Sequence, residues 1–297
     1  MKKRNTAFTL IELSIVVILI GILTAGVMQG SSLVKKANLS KARKLTLKSD
    51  VRGIKDLAVW VETSLPESIE LDSTGKVTKW KNINPNNPEA VNATPFSTGT
   101  APEFVAESIN NLPAIKFSGA EYLLWDQGGN GLNMLIGSDY SVFIVEQRTA
   151  DNSNNYIIAG SGTAVFENLT LGYTNSSTAR HSHYSHGWNY TVPSFSESQG
   201  SNRIHSFMFS ATTFYPRSGG SYIGSSYFMN GGTIASGSHA PMDTAVTEFE
   251  GASIGNFAGN YYEGYISEII IFTRYLGDTD RKKVESYLGK KYDIKVN

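Results

Sequence analysis

The chain has 297 residues, 40% of them apolar, and sets 26 Lys and Arg against 26 Asp and Glu, with five His and no Cys. That length permits one large domain or one domain with an appendage, and the apolar content is enough for a core, which excludes a wholly disordered chain. The absence of Cys excludes a disulfide framework, a thiolate nucleophile and sulfur-ligated metals, while the neutral balance lacks the basic footprint of a nucleic-acid-binding protein.

The first predicted element is a long apolar helix. Lys2, Lys3 and Arg4 precede an apolar run over residues 8–28 whose only charge is Glu12. Its 21 residues can cross roughly 30 Å of hydrocarbon as a helix. A secretory signal peptide has an apolar region of only about 7–15 residues and ends at a small-residue cleavage site, so this run is too long and Glu12 too near its start. The basic tip places residues 1–7 in the cytoplasm. Lys35, Lys36, Lys41, Arg43, Lys44 and Lys48 beyond the run weaken an orientation drawn from charge alone. A carboxylate in an apolar helix costs about 2.5–3.5 kcal/mol on insertion scales, so Glu12 either has a cationic partner or lies near enough to the helix end to reach water.

The string Thr6-Ala7-Phe8-Thr9-Leu10-Ile11-Glu12-Leu13 resembles the class III leader of type IV prepilins and of the pseudopilins of type II secretion. The resemblance implies that a prepilin peptidase cuts between Ala7 and Phe8 and that the Phe8 α-amine is then methylated. It also implies that Glu12 neutralises the Phe8 amine of an adjacent subunit in a filament, which would set axial register. Ala7 stands where the family most often has Gly, and the helix-kinking Pro often found near Gln29 is missing. Gly21, Gly26 and Gly30 are the candidate soft points, and Gly26 and Gly30 have the spacing that seats a neighbouring helix.

Residues 31–53 continue the helix, with Val34, Ala37, Leu47, Val51, Ile54 and Ala58 at spacings of three and four. A helix over residues 9–48 would be roughly 60 Å long, like the spine by which pilins pack. Its basic side chains suit a solvated face better than lipid headgroups.

After Leu57 the composition turns to aromatic and β-branched residues between Gly, Asn and Ser turns, the pattern of many short strands. Residues 140–148 read as a strand, 151–155 as a polar turn and 156–159 as its partner strand. Asn230-Gly231 predicts a hairpin between residues 227–229 and 233–235, because both central positions of the favoured turn want positive φ. Residues 265–272 are nearly all apolar and predict a central strand, and Asp278 is placed to cap a final helix that turns Val284, Tyr287, Leu288 and Tyr292 inward. The expected class is α+β: a long N-terminal transmembrane and stalk α-helix, then an antiparallel β-sandwich (jelly roll) with a short C-terminal helix. Residues 57–60, 76–80, 113–119, 264–268 and the closing stretch to Tyr292 resemble laminin-G-like, concanavalin-A-like jelly-roll domains, mostly modules that bind glycans or extracellular proteins. The expected division is a leader at 1–7, a helix at 8–56 and a head at 57–297.

Chemistry in the head is sparse. His181, His183 and His186, followed by Trp188 and Tyr190, make an aromatic, His-rich stretch that could stack on a sugar. No carboxylate stands near them to complete a metal set, and a solvated loop accounts for them as well. No cofactor is expected. Loop oxygens of Asp126, Asn130, Asp139, Asp151 and Asn152 could hold calcium, but turn formation explains them equally. Glu248 and Glu250 would share one strand face, which is the one hint of a glycoside hydrolase, and the expectation is that the chain is not an enzyme. Trp60, Trp80, Phe104 and Phe117 are assigned to the core. Removing residues 1–7 leaves 23 basic side chains against 26 acidic ones.

The resemblance implies a type IV pilin-like subunit, minor or adhesive because its head is large, held in the bacterial inner membrane by a single pass and then carried into a pilus or pseudopilus at the periplasm or cell surface. Its partners would be prepilin peptidase, other pilin or pseudopilin subunits and an extracellular glycan or protein, with no nucleic acid. The alternatives are a membrane-tethered binding module that never assembles and a type II secretion pseudopilin.

Overall fold

The computed structural model describes residues 10–297, apart from 88–90, 127–130, 163, 165, 185, 196–199, 218–219, 235–236, 240–241 and 243. The chain divides into two compact units, Met1–Lys41 and Ala42–Asn297. The first is the greater part of helix α1 (Leu10–Leu47), which continues to its last turn in the second unit. Among the described residues, no side chain in the apolar stretch of α1 is buried; Leu10, Ile11, Leu13, Ile18 and Leu23 are all more than half exposed. The two hydroxyls in that stretch return to the helix backbone, Ser14 to the Ile11 carbonyl (2.8 Å) and Thr24 to those of Ile20 (2.9 Å) and Gly21 (3.0 Å). Such bonds leave little polarity on the surface of the helix.

The helix stops at Leu47, short of the periodicity that runs on to Ala58. Ser49 is extended and its side chain accepts from the Val51 amide (3.2 Å), which starts a separate 3-10 turn, Asp50–Gly53. Ala58 is therefore in a strand. The main strands are β1 (Leu57–Glu62), β2 (Val77–Trp80), β3 (Ala114–Ser118), β4 (Tyr140–Arg148), β5 (Asn155–Ala159) and β6 (Leu169–Asn175). They continue with β7 (Thr178–His183), β8 (His186–Thr191), β9 (Arg203–Arg217), β10 (Gly220–Met229) and β11 (Glu263–Phe272), before the closing helix α2 (Asp278–Tyr292).

Two antiparallel sheets form a sandwich. One runs β10-β9-β4-β11-β3, with β1 pairing β11 beyond β3. The other runs β8-β7-β6-β5, then through Ser253–Ile254, Leu123–Trp125 and Ala93–Pro95 to β2. β4 matches the expected strand, yet β5 is not its partner: β4 lies between β9 and β11, whereas β5 pairs with β6 in the opposite sheet. The polar turn at 151–155 thus crosses between layers. The Asn230-Gly231 hairpin forms as expected, with φ of 50° and 76° and Met229 opposite Gly232.

Val142 and Ile144 of β4, Ile269 and Ile271 of β11 and Phe207 of β9 meet Leu169, Leu171 and Tyr173 of β6 in one core. Trp80 and Phe117 belong to it, Phe104 packs against it, and Trp60 is fully buried. Helix α2 packs on β4 and β9. Ile270 and Phe272 are therefore as fully buried as Ile269 and Ile271, as the unbroken apolar run of β11 requires. Val284, Tyr287, Leu288 and Tyr292 of α2 are buried. The cap of α2 is Gly277, not Asp278, which is the first helical residue and pairs instead with Arg281 (3.2 Å).

Candidate functional site

In the N-terminal unit, the segment Leu10–Gly53 is long and apolar enough to cross a membrane, and none of its apolar window is buried. A helix apolar on all sides with no core of its own is suited to lipid or to other helices. Glu12 lies in its first turn. Ala7 and Phe8 lie outside the described residues. A side chain at Gly21 or Gly30 would meet nothing within 4 Å.

In the head, the expected His-rich loop is a buried hairpin. His181 and His183 are on β7 and Trp188 and Tyr190 on β8, all buried, with His186 half-buried. The physical reason is a hydrogen bond donated or accepted across the sandwich: the Tyr140 hydroxyl of β4 bonds His181 Nε2 (2.7 Å) and His183 Nε2 (2.8 Å), so imidazoles that would favour water find partners inside. His183 Nδ1 bonds the Thr244 carbonyl (2.8 Å), and burial pushes its pKa down to about 4. Tyr190 shares a bond with Ser225 (2.9 Å). His181, His183 and Tyr190 thus bond across the two layers, and Trp188 is buried beside them.

A second buried set surrounds Glu146. Its carboxylate accepts from Tyr173 (2.6 Å), His205 Nε2 (2.9 Å) and Tyr262 (2.5 Å), with the Arg203 guanidinium at 3.7 Å. Burial opposes ionisation, but His205, Arg203 and the donors prevail and bring Glu146 down to about 2.

The third set was not read from the sequence. Lys291 Nζ of α2 donates to Glu62 of β1 and Glu268 of β11, both at 2.7 Å, and all three side chains are fully buried. Glu268 also accepts from Trp60 Nε1 (2.6 Å), Tyr287 (2.8 Å) and Tyr292 (2.9 Å), and Glu62 from Ser64. Burial would raise both carboxyls. Lys291 and Ser64 hold Glu62 below its ordinary value, while burial and the charge of Glu62 keep Glu268 above it. The end of α1 joins this set: Thr46 bonds the Tyr287 hydroxyl (3.0 Å), and nearby Arg43 Nε donates to the Ser64 carbonyl (2.8 Å). Glu62 at the end of the apolar strand β1 and Glu268 in the middle of β11, with lysines on the last helix, were the available signal.

The remaining candidates are at the surface. Glu248 and Glu250 are exposed outside any strand, where Glu250 and Glu167 raise the Glu248 carboxyl by like charge. Asp139 accepts from the distant Ala211 amide (3.1 Å), Asp126 from the distant Asn92 amide (2.9 Å) and Asn152 from nearby Asn155 (2.6 Å). Asp151 is exposed, and Asn130 lies outside the described residues. Among the described residues, no group of three His, Cys, Asp or Glu is arranged to hold a metal. Among the described residues, a groove of about 440 Å³ runs along α2 beside Lys290 and Asp293, and another of about 440 Å³ lies between Arg52, Glu67 and Lys79. Neither includes Glu248, Glu250 or the histidines.

Residues 2–28 match the family model described as the prokaryotic N-terminal methylation motif. No curated protein sequence matches the chain. Among solved structures, Trypanosoma rangeli sialidase in complex with sialic acid superposes with a TM-score of 0.52 at 12% identity, over 82% of this chain and 34% of that one. A trans-sialidase-active mutant of that enzyme gives 0.50 at 11% over the same shares. Domain 4 of a Geobacillus stearothermophilus GH43 arabinanase in complex with arabinotriose gives 0.48 at 15%, over 78% of this chain and 98% of that one. The chain spans about a third of the length of the sialidases, and at these identities the likeness is one of fold. The protein carries an N-methylation prepilin motif at the start of a long apolar helix, followed by a β-sandwich of concanavalin-like jelly-roll type.

Proposed function

We propose that this chain is a subunit of a type IV pilus-like filament, of minor or adhesive type. Prepilin peptidase cleaves between Ala7 and Phe8 on the cytoplasmic face and the Phe8 amine is methylated. The apolar helix then holds the subunit in the inner membrane until it passes into a filament beside other pilins. The carrying observation is the coincidence of the methylation motif with a helix whose apolar side chains, among the described residues, are exposed. Lateral packing against like helices would cover that surface once the subunit leaves lipid. The sandwich, a large head built on its own core, supports a displayed binding module. Intact mass and terminal peptide sequencing of the protein from its native cell test the reading. A chain that begins at N-methylated Phe8 and sediments with sheared filaments is the expected result. One that retains Met1 and stays with the membrane overturns it in favour of a tethered module.

A further inference from the structure

Lys291 Nζ donates to three oxygens inside the head: Glu62 Oε2 (2.7 Å), Glu268 Oε2 (2.7 Å) and the Tyr287 hydroxyl (3.2 Å). The amine and both carboxyls are fully buried. The two carboxyls are not equivalent. Glu62 is held mainly by backbone: the Leu65 amide bonds Oε1 (2.6 Å), and the Ser64 amide (2.7 Å) and hydroxyl (2.6 Å) bond Oε2. Such donors suit a carboxylate, which only accepts. Glu268 is held by side chains. Trp60 Nε1 (2.6 Å) and the Tyr287 hydroxyl (2.8 Å) both donate to Oε1, while the Tyr292 hydroxyl (2.9 Å) meets Oε2, the oxygen that faces Lys291.

We propose that Lys291 Nζ and Glu268 Cδ condense to an intramolecular amide that ties α2 to β11, with Glu62 as the general base. The two donors on Oε1 stand where negative charge develops when an amine adds to that carboxyl. Burial raises Glu268, which favours the neutral acid that a nucleophile can attack. Burial would raise Glu62 too, yet Lys291 and Ser64 hold it below its ordinary value, so it is the carboxylate that can take a proton. Burial would lower the Lys291 amine, but the two carboxylates raise it, so the reactive neutral amine arises by proton transfer to Glu62.

The step balances without an oxidant or co-reactant. Glu62 takes one proton from the ammonium, and the freed lone pair bonds Cδ as the carbonyl electron pair moves onto Oε1. When that pair returns, the Cδ–Oε2 bond breaks, and Oε2 leaves as water with its own hydrogen and the proton handed back by Glu62. Glu62 then takes the second Nζ proton and ends neutral, and the amide keeps the third. Hydrolysis opposes such a bond in dilute solution. A well-oriented pair, however, reaches effective concentrations of about 10⁵–10⁸ M, and the product replaces a buried ammonium and carboxylate by uncharged groups. The tie would also fix Tyr287, to which Thr46 at the end of α1 bonds (3.0 Å).

The test is mass spectrometry of the denatured, trypsin-digested full chain. A branched peptide is expected, residues 218–274 joined to 291–295, lighter than the two parts by one water and uncut after Lys291. Lys291→Met should give only linear peptides. Glu62→Gln keeps the shape but takes no proton, and should lower the branched fraction by at least about tenfold. A parent chain with only linear peptides overturns the inference, and that result needs no substitution, so misfolding of a variant does not bear on it. A branch at Glu62 in place of Glu268, or full branching in Glu62→Gln, overturns the assigned roles. The inference concerns the head alone: methylated Phe8 in a digest without the branch sinks the amide and leaves the filament reading intact.

Discussion

Lys291 is one cation between two buried carboxylates, an arrangement that costs several kcal/mol per ion in desolvation and is stable only because each carboxylate is saturated with donors. Replacing it by Met keeps the volume and strands Glu62 beside Glu268. The head should lose about 3–5 kcal/mol, read as a lower urea midpoint of the full chain in detergent. An unchanged midpoint would mean that the cluster is solvated. His183 gives a different signature. Its native pKa of about 4 lies below the 6.5 of a free imidazole, so between those values the unfolded chain binds the extra proton and stability falls as pH falls. His205 is lowered as well and adds in the same sense. Glu268, raised, acts oppositely, and Glu146 begins to lose its contribution only below 4.5. The comparison is therefore between variants. From pH 6.5 to 4.5 the parent should lose roughly 2 kcal/mol more than His183→Asn, measured by urea unfolding at both values. Parallel losses would show that His183 does not titrate across unfolding.

At the scale of elements, the hairpin turn Asn230-Gly231 joins β10 to the edge strand Gly232–Thr233 and carries the chain's last contact, from the Asn297 amide to the Asn230 carbonyl (3.0 Å). A Cβ on Gly231 would sit at φ 76° and 2.5 Å from Val296. Gly231→Ala should cost more than about 1 kcal/mol in the same unfolding assay, and an unchanged midpoint would mean that the turn conformation carries no strain. This turn was legible because its chemistry is local, and so were β4 and β11, whose aromatic and β-branched runs are written in consecutive residues. What the period of a strand does not encode is its partner. Residues 156–159 follow a short polar turn and still cross to the other sheet, and polar histidines enter the core because Tyr140, some forty positions away, supplies their bond. Phe96, alone among Pro, Ser and Thr, gives no periodic signal at all, and its contact with Tyr122 exists only once two separate strands pair.

For the whole molecule, Glu12 of a filament subunit would serve assembly at the expense of the membrane. On insertion scales a carboxylate within an apolar span costs about 2.5–3.5 kcal/mol, which a subunit that only anchors its head would have no reason to bear. Glu12→Leu removes that cost and should leave the protein in the membrane fraction, more resistant to extraction, with the head as stable as in the parent. In a filament the same change strands the Phe8 amine among apolar helices with no carboxylate opposite. Burial of an unpaired charge is strongly unfavourable, so filaments sheared from the cells should lose this subunit while its N-terminus is still cleaved and methylated. Glu12→Asp, with the charge kept but withdrawn by one methylene, should assemble partially. If Glu12→Leu enters filaments as well as the parent, the pairing is wrong, and the carboxylate is one that reaches water near the end of the helix.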